Sequence, residues 1–206
     1  MPIQHLLYRC PRCGHDPTTV TPRGARCDSC GATFEQGRDA VVLVGSSDGG
    51  VEETSVHTLL DAIDRLGGVT SAAENAEGAL SYEAHVTVAR GNQHQAVWWK
   101  GSVIGFFERI TDRRKAVLRL DGNTVTVTGA GREPLVWQLE AIRAMQISSK
   151  AIQLNIRDVG LHQMEFSNDS PKRWEDLLRV ALRRFYAGLG QEVIEFQPKI
   201  VTRALS

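Results

Sequence analysis

Apolar and polar positions alternate with a period of two across much of residues 96–166. "TVTVT" at 124–128 sets Val125 and Val127 against three threonines, and "AIQLNIRD" sets Ile152, Leu154 and Ile156 against Gln153, Asn155 and Arg157. "LHQMEF" sends Met164 and Phe166 to one face. Such alternation predicts half-buried strands. "AVWWKGSVIGFFERI" reads as a long first strand bent near Gly101 or Gly105, and "KAVLRL" as the second. "PLVWQL" and "IRAMQIS" add two more, the latter with Ile142 and either Ala144 or Met145 toward a core. "DGN" at 121–123 is a strong hairpin turn. Seven strands at regular spacing predict an antiparallel sheet folded on itself.

The period lengthens to helical spacing in two places. "TSVHTLLDAIDRLGG" repeats Val56, Leu59, Leu60, Ile63 and Leu66, with Thr54 or Ser55 as cap and Gly67 and Gly68 as stop. "SPKRWEDLLRVALRRFY" carries a broad stripe of Trp174, Leu177, Leu178, Ala181, Leu182 and Phe185, capped by Ser170 with proline in the first turn. "VTSAAENAEGAL" reads as a weaker helix, "SSDGG" and "RGNQHQ" as loops, and "AVVLVG" at 40–45 as a strand. "EVIEFQPKIVTRALS" shows no helical period and reads as an extended tail.

All four cysteines lie in "CPRCGHDPTTVTPRGARCDSCG", residues 10–31: Cys10 and Cys13, then Cys27 and Cys30. Two residues between cysteines make a tight turn that aims both sulfurs at one ion, and two such turns complete a tetrahedron. Gly14 and Gly31 follow the pairs, where a knuckle needs positive φ. "TPRG" turns the chain back between them, and Phe34 is placed to pack beside the ion. Two disulfides would require an oxidising compartment, and a redox pair sits singly at a helix start. The reading is therefore a structural Zn2+ held by Cys10, Cys13, Cys27 and Cys30, with His5 and His15 as spectators. The segment resembles a zinc ribbon, too small to hold together by apolar burial alone.

The formal charge is zero, so no global field draws the chain to nucleic acid or membrane. Locally it is uneven: residues 51–90 carry seven acids against two bases, and residues 100–150 nine bases against five acids. "MPIQHLLYRC" lacks the pattern of a secretion signal and no apolar run approaches a membrane span, which together point to a reducing cytoplasm.

Seven antiparallel strands closed by one helix with an early tryptophan resemble the PH-like (or GRAM-like) superfold, over about residues 98–189. The expected class is α+β: a zinc ribbon at 1–46, a helical connector at 47–95, a seven-stranded PH-like barrel capped by a C-terminal helix at 96–190, and a tail at 191–206. The resemblance implies an anionic lipid headgroup site in the loop between the first two strands. Here that loop is "ERITDRRKAVLRL", with Arg109, Arg113, Arg114, Lys115 and Arg119 as candidate ligand-binding residues. It departs from the usual basic-x-basic pair, since Ala116, Val117 and Leu118 separate Lys115 from Arg119. A lipid-binding role would put the protein at the inner face of the membrane. Other members bind peptides or hold domains in place. On alternating faces, one of Trp98 and Trp99 is expected in the core and the other at a contact surface, with Trp137 and Trp174 in the core.

No Gly-x-Ser-x-Gly elbow, phosphate loop or His-Glu-x-x-His occurs, and "GAGREP" joins two strands rather than opening a helix. The chain is weakly similar to accessory modules ahead of bacterial phospholipid acyltransferases. The acyltransferase motif, His and Asp separated by four residues, is absent: His57 meets Asp61 one residue early. The expectation is a non-enzymatic zinc-binding adaptor recognising a partner protein or an anionic membrane. Nucleic-acid binding through the ribbon is the alternative, with Arg9, Arg12, Arg23 and Arg26 around the knuckles. Five bases against five acids in residues 1–50 leave that attraction to local clustering.

Overall fold

The computed structural model describes residues 3–39, 41–66, 69, 73–74, 78–129, 133–148, 150–167, 169–196 and 199–205, with backbone alone for 92–94 and 105–108. The architecture is mixed α+β and mostly antiparallel. A five-stranded meander comes first: β1 (Thr19–Thr21), β2 (Gly24–Arg26), β3 (Thr33–Gln36), β4 (Val41–Gly45) and β5 (Val51–Ser55), in chain order across the sheet. Helix α1 (Val56–Arg65) follows directly, with the Ser55 hydroxyl accepting the Thr58 N–H as N-cap. Four of the five residues of the periodic stripe face the core: Leu59 and Ile63 are buried and Val56 and Leu60 pack beside them, whereas Leu66 departs from the expectation, exposed just past the helix end. The stop at Gly67 and Gly68 and most of the weaker helix expected after it lie outside the described residues.

A curled seven-stranded half-barrel forms the larger part. Its strands are β6 (Ser81–Trp99), β7 (Ser102–Asp121), β8 (Thr124–Thr128), β9 (Leu135–Gln138), β10 (Ile142–Ile147), β11 (Ala151–Ile156) and β12 (Gly160–Phe166). The order is β10-β11-β12-β6-β7-β8-β9, so β6 joins the two ends of the series. Helix α2 (Pro171–Gly188) closes one side, capped by the Ser170 hydroxyl, which accepts the Lys172 and Arg173 N–H groups. Trp174 is its anchor. Fully buried, it lies 5.9 Å from the Phe166 ring and 5.7 Å from Tyr82, and its indole N–H donates to Asp169 at 3.0 Å.

The strand count agrees with the sequence reading, but the first two strands differ. "SYEAHVTVA" and "RGNQHQ", read as connector and loop, belong to β6, so the boundary expected at residue 95 falls inside a strand. The chain reverses at Lys100 and Gly101, with φ of 46° and 78°. Two successive positive φ values make the tight turn a hairpin needs, and a lysine there gives little sequence signal. The basic segment expected as a loop is likewise strand, inside β7. Bulges between Val88 and Arg90, Gly91 and Gln93, and Val97 and Trp98 break the alternation that would have announced one long hairpin.

Elsewhere the alternation holds. Ile152, Leu154, Ile156, Met164 and Phe166 are buried, and a bulge in β10 settles the open choice in favour of Met145 over Ala144. Residues after α2 form a hairpin, β13 (Gln191–Glu195) with β14 (Val201–Ala204), rather than an unpaired tail. It is tied down by Phe196, buried under the guanidinium groups of Arg179 and Arg183 at 4.7 and 5.1 Å. The five-stranded sheet also runs past the boundary expected at residue 46, because β5 pairs along the whole of β4.

Among the described residues, His162 is the one histidine buried in the half-barrel, its ring 4.8 Å from Trp137. Burial holds its pKa below the usual 6.5, with Arg90 and Arg114 acting the same way and the Gly160 carbonyl opposing them. The unfolded chain therefore takes up a proton below about pH 6.5 that the folded chain refuses, and this group's share of stability falls as pH drops through that value. His162→Phe is expected to lose less melting temperature than the wild type between about pH 7.5 and 5.5, as thermal melts at both pH values will show.

Candidate metal centre and its clamp

The two cysteine pairs fold into matching knuckles. The Cys10 carbonyl accepts the Gly14 N–H at 2.9 Å and the Cys27 carbonyl accepts the Gly31 N–H at 2.9 Å. Cys10 N–H donates to His15 C=O and Cys27 N–H to Ala32 C=O, both at 2.8 Å. Gly14 and Gly31 take φ of 73° and 74°, a conformation that a Cβ would strain. This repetition brings all four sulfurs within 4.8 Å of one another, compatible with a metal site. The Sγ atoms of Cys10 and Cys30 are 3.7 Å apart and those of Cys13 and Cys27 3.6 Å, far beyond a disulfide bond. Cys10 and Cys27 are buried in the core that contains Phe34, while Cys13 faces solvent. Burial pushes the Cys10 and Cys30 thiols up; the His15 backbone N–H draws Cys13 down to about 7. Neither His5 nor His15 belongs to the cluster.

The surroundings of the first knuckle show something the sequence reading missed. Arg173, on the first turn of α2, is buried and reaches across to the segment that carries the cysteines. Its guanidinium forks the Asp16 carboxylate at 2.6 and 3.1 Å and donates to the Tyr8 carbonyl at 3.2 Å. It stacks between the rings of Tyr8 and Tyr82, at 5.0 and 5.3 Å. Its Nε lies 3.1 Å from Asp169, at an angle that makes an ion pair without a hydrogen bond. Tyr8 Oη donates to Asp176 at 2.8 Å, and the Ser170 hydroxyl donates to the His5 carbonyl. Burial raises the carboxyl pKa values of Asp169 and Asp176, while Arg173 and Lys172 pull them back. His5, Tyr8 and Asp16 thus bracket Cys10 and Cys13 and bind them to α2. Spacing within one helix gives no hint of a partner some 160 residues away, so only the fold reveals this clamp.

The five basic residues do not converge. Arg113, Lys115 and Arg119 are exposed on β7, whereas Arg114 is half-buried beside Val88 and His162. Adjacent strand residues point to opposite faces, so the cluster is divided. Arg113 pairs with Glu165 and Arg119 with Asp121, and Arg109 lies ten residues, roughly 33 Å of strand, from Arg119. Three of the arginines around the knuckles are similarly engaged: Arg9 donates to Gly14 C=O, Arg26 contacts Asp28 at 2.8 Å, and Arg23 faces Glu35 at 3.7 Å. Trp137 and Trp174 are core, as expected. Trp98 and Trp99 are 65% and 64% exposed, so neither is core; the hairpin end that carries them extends past the strands flanking it.

No helix among the described residues is long and apolar enough to cross a membrane. No family model matches the chain, and no curated protein matches it.

Proposed function

We propose that this chain is a non-enzymatic docking module, a four-cysteine zinc ribbon fastened to a PH-like half-barrel, that recognises a partner protein or an anionic membrane surface. The observation that carries the reading is the pair of knuckles with their four sulfurs, locked to α2 through Asp16 and Arg173. For zinc the donor set and size agree. A tetrahedron with Zn–S bonds of about 2.3 Å has edges near 3.8 Å, against the 3.6 and 3.7 Å measured for two of the sulfur pairs. Four thiolates leave no open coordination position, so the ion supplies stability rather than chemistry. The strand order, with β6 joining the two ends of the series and a closing helix, supports the PH-like reading. The engagement of Arg9, Arg23 and Arg26 weighs against a nucleic-acid surface on the ribbon.

Flotation with anionic vesicles tests the lipid branch. If the basic strand contributes, Arg113→Ala/Arg114→Ala will lower vesicle-bound protein several-fold, because each loses a charge near anionic headgroups. Equal flotation of variant and wild type removes that strand as the lipid contact.

A further inference from the structure

The β6–β7 hairpin outruns its sheet. Strand β12 pairs with β6 only as far as Arg90, and β8 meets β7 only from Val117 onward. Among the described residues, the nine residues of β6 beyond Arg90 have no strand partner but β7, giving a ribbon about 30 Å long. Its end is apolar. Of the thirteen large hydrophobic residues exposed on the described chain, five fall within eight consecutive positions: Val97, Trp98, Trp99, Val103 and Ile104. Scattered exposed hydrophobics are ordinary, but a concentration of them marks a contact site.

The character of the contact can be read from the tip. Trp98 and Trp99 leave opposite faces of the strand, and both are about two-thirds exposed. A protein groove covers one face of a ribbon; a fluid interface accepts both. The five side chains offer on the order of 500 Å² of apolar surface, short of the roughly 800 Å² per partner of a stable protein interface. No acidic residue occurs between Glu83 and Glu108, and the one charge in the tip is Lys100, folded 5.9 Å over the Trp99 ring. Tryptophan favours the membrane–water interface and lysine the phosphates there. The open edges of the ribbon bar deep entry, because unpaired backbone groups are not tolerated in hydrocarbon.

We propose that the tip of the β6–β7 hairpin, through Val97, Trp98, Trp99, Val103 and Ile104, inserts into the headgroup layer of a phospholipid bilayer. The proposal rests on the docking-module reading and names its surface. The apolar side chains drive the insertion and Lys100 favours anionic lipid; the distant basic strand is secondary.

The test uses the full zinc-loaded chain with vesicles of phosphatidylcholine alone, or of phosphatidylcholine and phosphatidylserine in equal parts. The wild type is expected to float with both, more with the second, and its tryptophan emission to shift blue and be quenched by brominated lipid. Trp98→Ala/Trp99→Ala should keep its melting temperature, since both side chains are exposed, and lose at least tenfold in vesicle partitioning. Equal partitioning of this variant overturns the proposal, as does failure of the wild type to bind either vesicle. So does a wild-type dimer, seen by light scattering, that the variant abolishes, because the occupant is then a second copy. If the tryptophan variant floats normally and Arg113→Ala/Arg114→Ala does not, the tip fails while the docking reading stands. A folded chain without zinc removes the docking reading's ribbon and leaves vesicle partitioning to judge the tip.

Discussion

Arg173→Ala is expected to lower the melting temperature by about 10 °C or more and to loosen the first cysteine knuckle. The substitution leaves Asp16 and Asp169 facing each other without the cation between them. Breaking a buried pair by removing one partner costs about 3–5 kcal/mol, and for a chain of this size each kcal/mol is roughly 2–4 °C. It also removes the donor to the Tyr8 carbonyl and the stacking between Tyr8 and Tyr82. Because Asp16 lies three residues after Cys13, the effect should reach the metal site. Zinc transfer to a chelating dye will be faster in the variant, and Arg173→Lys, which keeps the charge but not the fork, will fall between. Unchanged melting and unchanged zinc transfer would show that ribbon and helix are merely neighbours.

Cys27→Ser will unfold the ribbon while leaving the half-barrel in place. Cys27 is fully buried, in the same core as Phe34. Structural zinc in small thiolate sites contributes roughly 10–16 kcal/mol of apparent binding, and β1 to β4 are strands of three to five residues that cannot replace it. The half-barrel keeps its own anchor in Trp174. Hydrogen exchange read by mass spectrometry should therefore show loss of protection over residues 19–45 and retained protection over β10 to β12. Uniform loss would make the molecule a single cooperative unit; no loss would deny the ion its structural role.

The knuckles, the two helices and most strands after residue 115 were legible in the sequence because each is a local pattern. Cys-x2-Cys-Gly fixes a turn by itself, and the stripes through Ile63 and Trp174 need only helical spacing. The β6–β7 hairpin was not legible. Three bulges interrupt its alternation, and the positive φ at Lys100 is one that lysine seldom announces. That failure moved the start of the half-barrel, turned a strand into a loop and assigned one of Trp98 and Trp99 to the core. The Arg173 clamp was beyond reach for a different reason: "SPKRWEDLL" advertises a helix face but not the aspartate that meets it.

Native mass spectrometry of protein made under reducing conditions tests the thiolate clamp most directly. The account predicts a mass excess of one zinc ion per chain, lost on acidification together with protection of the ribbon amides. A metal-free chain with the same protection from β1 to β4 would contradict it.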